Sequence, residues 1–215
     1  MTWLSNFLGT SVGRKQLMAL SGLGMAGFLV THLSGNLLIF VGEQAFNDYA
    51  AFLHEQKWLP LARIGLIAIT LLHLGLAFHL TMQNKAARGT EYYQKAASDA
   101  SLASRTMIYS GVLILFYLII HLANFTFETA EGPAGLYGMV VGKLGNPMYG
   151  LCYIAAMVVL GFHLVHGIQS TFQSFGISHP GHKPLLQKAL MGLAVAICAG
   201  FASIPIVLMI IKGGA

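Results

Sequence analysis

The chain has 215 residues, 56% of them hydrophobic and only 9% charged, with a formal net charge of +5. A soluble domain carries about a quarter charged residues, so this composition excludes one and describes an integral membrane protein. The basic excess implies no nucleic acid partner, because it falls mostly on loops between apolar stretches, where lipid headgroups or an acidic partner face it.

Five windows lack Asp, Glu, Lys and Arg: 16–42, 64–84, 106–127, 144–182 and 189–211. Crossing a bilayer takes roughly 20 apolar residues, which each window supplies. The N-terminal stretch 1–12 is short and suits the interface, with Trp3 and Phe7 as apolar contacts. A first helix over 16–42 is too long for a signal core and lacks a small-residue cleavage pattern, so it is expected to be retained. It carries Ser21, Gly22, Gly24 and Gly27 before His32. These small residues suit close helix packing, and equally they suit leaving volume for a flat macrocycle. The segment 43–60 reads as a loop mixing Glu43, Asp48, His54 and Glu55 with Phe46, Tyr49, Phe52 and Trp58, as an interfacial aromatic belt does.

A second helix over 62–84 holds His73 and His79, and a third over 106–127 holds His121. Between them, 85–104 is the most polar part of the chain. Its Tyr92, Tyr93 and basic residues suit either a docking surface or a plain solvated loop. The fourth window exceeds what a span needs. Pro147 fits a first helical turn, which gives a helix over 147–175 with His163 and His166. Turn formers follow at 177–184, where His179 and His182 make only a weak metal pair. A fifth helix covers 188–211. Cys152 and Cys198 lie inside helices with no C-x-x-C pairing, and the absence of C-x-x-C-H excludes c-type haem attachment.

Orientation follows from the basic residues. Arg14, Lys15, Lys85, Arg88, Lys95, Arg105, Lys183 and Lys188 flank one side. Lys57, Arg63, Lys143 and Lys212 flank the other, together with Glu43, Asp48, Glu55, Glu128 and Glu131. The positive-inside rule puts the N-terminus in the cytoplasm. The expectation is one domain over 1–215: an all-α integral membrane protein, five transmembrane helices in an antiparallel bundle.

His32, His73, His121 and His163 sit in four different apolar windows. An ionisable side chain within a bilayer is costly and is a functional candidate by default. Two facing pairs of imidazoles are what two six-coordinate b-type haems require. Counting from the flanking basic residues puts His32 and His121 toward the outer half and His73 and His163 deeper toward the cytoplasm. That pairs His32 with His121 and His73 with His163, offset by about 5–10 Å. His79 lies on a different face from His73, whereas His166 shares a face with His163. Either could replace its neighbour as ligand, hold a haem propionate or orient a ligand. Bis-histidine ligation leaves no open iron position, so the haem shuttles single electrons. The chain offers no carboxylate pair, nucleophile–base pair or Gly-rich phosphate loop, which leaves electron transfer, with protons exchanged where electrons meet a quinone.

With these motifs in place, the chain resembles the diheme cytochrome b subunit that anchors succinate:quinone oxidoreductases and quinol:fumarate reductases. The resemblance rests on LVTHLSGN around His32, TLLHLGLAFHL around His73, LIIHLANF around His121, GFHLVHGIQS around His163 with SFGI after it, and the run Gly42–Asn47. It covers nearly the whole chain. It implies axial ligands at His32, His121, His73 and His163, the last because the ligand precedes a glycine by four residues, as His163 precedes Gly167. It further implies two haem b, a menaquinone-type quinone, a bacterial cytoplasmic membrane, and two cytoplasmic partners: an FAD-containing flavoprotein and an iron–sulfur subunit. An acidic residue on the outer side serves the quinone in related reductases. Glu55 with His54 occupies about that stretch, with Glu43 and Glu128 behind it. Arg105, Lys85 and Lys188 are placed for propionates of the inner haem. Two alternatives stand beside this reading: a diheme anchor of another quinone-linked enzyme, such as a hydrogenase or formate dehydrogenase, and a small transporter using histidines as proton relays.

Overall fold

The computed structural model describes residues 6–7, 9–86, 102–177, 181 and 183–213, and all regular structure among them is helical. Trp3, Arg88, Tyr92, Tyr93, Lys95, His179 and His182 lie outside the described residues, as does the Arg105 side chain.

Helix α1 runs Ser11–Asn36 and tightens into a 3-10 turn, Leu37–Phe40. Thr10 sets its start: Oγ1 accepts from the Gly13 N–H at 3.0 Å and donates to the Phe7 carbonyl at 2.7 Å, so an N-cap begins the helix several residues ahead of the charge-free window. Gly42, at φ 137°, adopts a conformation that favours glycine and turns the chain into α2, Glu43–His54. The expected loop over 43–60 is therefore largely a helix. Its inner side buries Phe46, with Tyr49, Ala50 and Leu53 at helical spacing from it, so the segment is amphipathic.

The remaining helices are α3 (Leu59–Ala86), α4 (Leu102–Phe125), α5 (Gly135–Leu144), α6 (Pro147–Ser174) and α7 (Lys183–Gly213). Asn146 Oδ1 accepts from the Met148 N–H at 3.0 Å and Pro147 fills the first turn, which fixes where α6 begins. Among the described residues five helical spans, in α1, α3, α4, α6 and α7, are long and apolar enough to cross a membrane. The short helices α2 and α5 pack on each other at one end. Asn47 joins them by donating Nδ2 to the Ala134 carbonyl at 3.0 Å and accepting from the Tyr137 N–H at 3.0 Å. This end is called the far side below, and the end where α1 starts is the N-side.

Contacts between spans run antiparallel. Along α1, residues 14, 21 and 25 meet 79, 73 and 70 of α3 in turn. Met107 and Ser110 of α4 lie beside Gly167 and His163 of α6. Helix α1 packs on α3 and α6, and α4 packs on α6, while α3 and α4 meet only sparsely. These four helices form a square. Helix α7 lies outside it against α6 and α1, where Ala194 and Ile197 are buried with Met157 and Leu164 of α6. Helix α3 buries no residue and exposes Leu61, Ile64, Ile67, Leu71 and Phe78, as a lipid-facing helix does. Cys152 is exposed, Cys198 is buried, and both are free thiols.

Candidate functional site

The histidines lie across the square's diagonals. His32 of α1 faces His121 of α4 with ring centres 5.9 Å apart, and His73 of α3 faces His163 of α6 at 6.5 Å. Neither diagonal is a principal helix–helix contact, so each pair spans the interior rather than a packed seam.

The two pairs have different surroundings. In the N-side pair, each Nδ1 meets a serine hydroxyl: His73 with Ser21 at 3.2 Å, and His163 with Ser110 at 3.1 Å. In the far-side pair, His32 stacks on Phe28 at 5.2 Å and lies beside Phe201 at 5.8 Å. His121 is ringed by Tyr117, Phe125 and Tyr153 at 5.8, 5.5 and 6.1 Å. Asn36 Nδ2 sits 3.4 Å from both ring nitrogens of His32 and donates to the His32 carbonyl at 2.8 Å. His121 Nδ1 is buried with no hydrogen-bond partner among the described residues, and a buried polar atom without a partner calls for an explanation.

The donor set fits haem iron. Metal–imidazole bonds of about 2.0–2.1 Å on opposite sides of one iron put the two ring centres roughly 6 Å apart, close to both separations. Among the described residues no three His, Cys, Asp or Glu side chains converge. A bare ion would need three or four such ligands. Two imidazoles per site suit an iron whose other four positions belong to a macrocycle.

The level of the pairs differs from expectation. His163 is level with Ser110, eleven residues before His121 on α4, and His73 is level with Ser21, eleven residues before His32 on α1. At 1.5 Å per residue, that separates the pairs by about 16 Å along the helix axes, more than the 5–10 Å counted from flanking charges.

His79 accepts from Arg14 Nη1 at 2.8 Å at the N-side end of α3, and Arg14 Nη2 also donates to the Gly9 carbonyl at 3.1 Å. His166 is half-buried one turn beyond His163 on α6, and it is His163 whose ring faces His73. Lys85 and Lys188 are exposed. On the far side, Glu55 closes α2 and is exposed, as are His54 and Glu43. Glu128 accepts from Lys143 Nζ at 2.6 Å and lines an open depression of about 640 Å³ with Phe127, Glu131 and Met139.

A family model described as the succinate dehydrogenase/fumarate reductase transmembrane subunit matches residues 81–202, more than half of the chain. The chain belongs to this family. It is therefore a multi-pass membrane anchor subunit of a succinate dehydrogenase or fumarate reductase complex, and the family implies association with that complex's flavoprotein and iron–sulfur subunits. The matched region includes His121, His163 and His166, while His32 and His73 precede it. No curated protein and no solved structure matches the chain.

Several residues at the site were not singled out from sequence: Ser110, Gly111, Arg14, Tyr117 and Phe201. A signal for three of them exists. The string Ser-Gly-x5-(Phe/Tyr)-Leu-x2-His-Leu occurs twice, at 21–33 and at 110–122. It becomes visible only when α1 and α4 are compared with each other.

Proposed function

We propose that this anchor subunit binds two haem b, one between His32 and His121 and one between His73 and His163, and carries electrons across the membrane between a menaquinol-type quinol and the iron–sulfur partner. The observation supporting this most strongly is that four imidazoles from four spans pair across both diagonals, at 5.9 and 6.5 Å. A haem b held by either histidine pair would supply one-electron transfer and would offer no open iron position to oxygen or substrate.

The N-side is cytoplasmic in this reading, because Arg14, Lys15, Lys85, Arg105 and Lys188 lie there, and the membrane is the bacterial cytoplasmic membrane. Lys85 and Arg105 hold propionates near the N-side pair. Arg14 adds a guanidinium beside His79, so His79 acts by orienting that group. His166 lines the approach to His163. Apolar side chains of α6 and α7, Leu164, Ile197 and Leu190 among them, exclude water from the bundle.

On the far side, Glu55 receives the hydroquinone hydroxyl proton on a carboxylate oxygen. Its exposure lets it pass that proton to solvent. A second carboxylate has a specific observation in its favour: Glu128 lines the far-side depression and is held by Lys143. Quinol oxidation by the assembled complex tests the choice. Glu55→Gln lowers the rate if Glu55 is the proton acceptor, and Glu128→Gln lowers it if the depression is the site.

The haem reading is tested on the purified, detergent-solubilised subunit by pyridine haemochrome quantitation and a dithionite-reduced minus oxidised spectrum. Two low-spin b haems per chain, unreactive to carbon monoxide, are expected. A colourless protein from haem-replete cells would overturn the reading and favour histidines as proton relays.

A further inference from the structure

The N-side histidines are each gripped by a neighbouring helix in the same way. Ser21-Gly22 on α1 abuts His73 of α3, and Ser110-Gly111 on α4 abuts His163 of α6. A Cβ added at Gly22 would lie 3.4 Å from His73 Cε1, and one at Gly111 would lie 3.5 Å from His163 Cε1. The glycine lets the imidazole edge lie against the helix, and the preceding serine meets its Nδ1. The two contacts bridge 52 and 53 residues of chain respectively, so α1–α3 and α4–α6 are two copies of one unit.

The hydroxyl proton is already committed in both copies. Ser21 Oγ donates to the Met18 carbonyl at 2.9 Å, and Ser110 Oγ donates to the Met107 carbonyl at 2.9 Å. A serine hydroxyl has one proton and two lone pairs. What each Oγ has left to offer the ring is a lone pair, so the hydrogen in each Ser–His contact comes from Nδ1–H. That fixes the tautomer of both imidazoles and leaves Nε2 with its lone pair available on the side away from the serine. Among the described residues the far-side pair has no equivalent acceptor, since His121 Nδ1 is buried without a partner and Asn36 meets the His32 ring as a donor.

We infer that Ser21 and Ser110 are positioning residues that hold His73 and His163 in the Nδ1–H tautomer and make them stronger electron donors than the far-side ligands. The inference rests on the haem reading above. A ring N–H donated to an acceptor shifts electron density onto the imidazole and strengthens its hold on ferric iron. Removing the acceptor therefore raises the reduction potential of the N-side haem and leaves the far-side haem unchanged. The Met18 carbonyl also lies close enough to accept from His73, which makes Ser110 the cleaner position to test.

The experiment is a redox titration of Ser110→Ala in the purified subunit, carried out in the His121→Ala background so that only the N-side haem contributes. An upward shift of the midpoint potential at full haem occupancy is expected, together with a changed low-spin g-maximum in electron paramagnetic resonance. Ser110→Thr, which keeps the hydroxyl, should restore both readings. An unchanged potential with haem still bound would overturn the inference, since a purely packing role predicts that result. If Ser110→Ala fails to hold haem, Ser110→Cys takes its place. Its thiol is a poorer acceptor at the same position, and the same upward shift is required of it. If the His121→Ala background holds no haem, the titration is run on Ser110→Ala alone and the same upward shift is required of one of its two haems. Absence of haem from the unmutated subunit would instead refute the diheme reading itself.

Discussion

Replacing His163 by Ala tests the site most directly. The ring that faces His73 at 6.5 Å disappears, and with it one of the two ligands proposed for the N-side haem. The far-side pair shares no hydrogen-bond partner with it and lies about 16 Å away along the helix axes, beyond the range at which substitutions normally couple. Haem content should therefore fall from two per chain to one, and the reduced-minus-oxidised band to about half its amplitude. The fold should survive. Ser110 keeps its bond to the Met107 carbonyl and His73 keeps Ser21, so no buried partner is orphaned. The loss of packing costs about 1–3 kcal/mol. His166→Ala, one turn further along α6, should leave both haems in place. The assay is haemochrome quantitation per chain, with size-exclusion elution in detergent as the folding control. A His166→Ala protein with one haem beside a His163→Ala protein with two would refute the assignment on α6. Loss of both haems from a folded His163→Ala protein would refute the independence of the two pairs.

Other consequences concern single contacts. His121→Phe removes the unpartnered Nδ1 among Tyr117, Phe125 and Tyr153. In haem-depleted protein it should raise the thermal midpoint by an amount worth about 1–3 kcal/mol, while in haem-replete protein it costs one haem. Asn47→Ala breaks both bonds between α2 and α5 and should destabilise the far-side cap by about 1–3 kcal/mol, read as faster proteolysis within 43–60. Gly35→Ala would place a Cβ 2.5 Å from the Tyr49 ring. Displacing Tyr49 should cost about 1–3 kcal/mol in thermal unfolding. Lys143→Met breaks an ion pair whose Glu128 partner is 49% exposed and should change the unfolding midpoint by less than about 1 kcal/mol, so a larger loss of quinol oxidation than of stability would point to function at that depression.

The sequence showed the spans clearly, because hydrocarbon admits so few charges that a charge-free window marks a helix. It also showed that four of the windows each carry at least one histidine, although His79 and His166 lie in the same helices as His73 and His163. Depth was less legible. Counting from Lys15, Arg105 and Lys85 assumes that these residues mark common levels, yet long basic side chains reach well away from their own Cα. Arg14, reaching to His79 and to the Gly9 carbonyl, illustrates the error. The far-side cap was hidden for a different reason. Helix α2 is short and mixes Glu43, Asp48 and His54 with aromatics, as an interfacial loop does, while α5 is short and begins at Gly135, with Gly132 before it, both at positive φ. Both are too short to span a membrane, and the helical spacing of Phe46, Tyr49, Ala50 and Leu53 in α2 is a signal that the loop reading missed.

The intramembrane glycines that meet another span separate into two groups once those neighbours are known. Gly24, Gly200 and Gly150 lie against Ile69, Leu33 and Met209, which is ordinary close packing of one span on another. Gly22 and Gly111 lie against imidazoles. Close packing runs along the sides of the four-helix square, and the histidine pairs cross its diagonals. Each N-side histidine is thus oriented by the helix beside it and meets its partner from the helix opposite. Moving α1 or α4 would disturb its own diagonal pairing and, through Ser21 or Ser110, the orientation of one N-side histidine. Helix α7 bears on this point: it contributes no histidine, but it presses on α1 and α6 together, with Gly200 seated on Leu33, the residue after His32. The fifth span therefore acts as the brace that holds α1 and α6, one helix from each diagonal, in register.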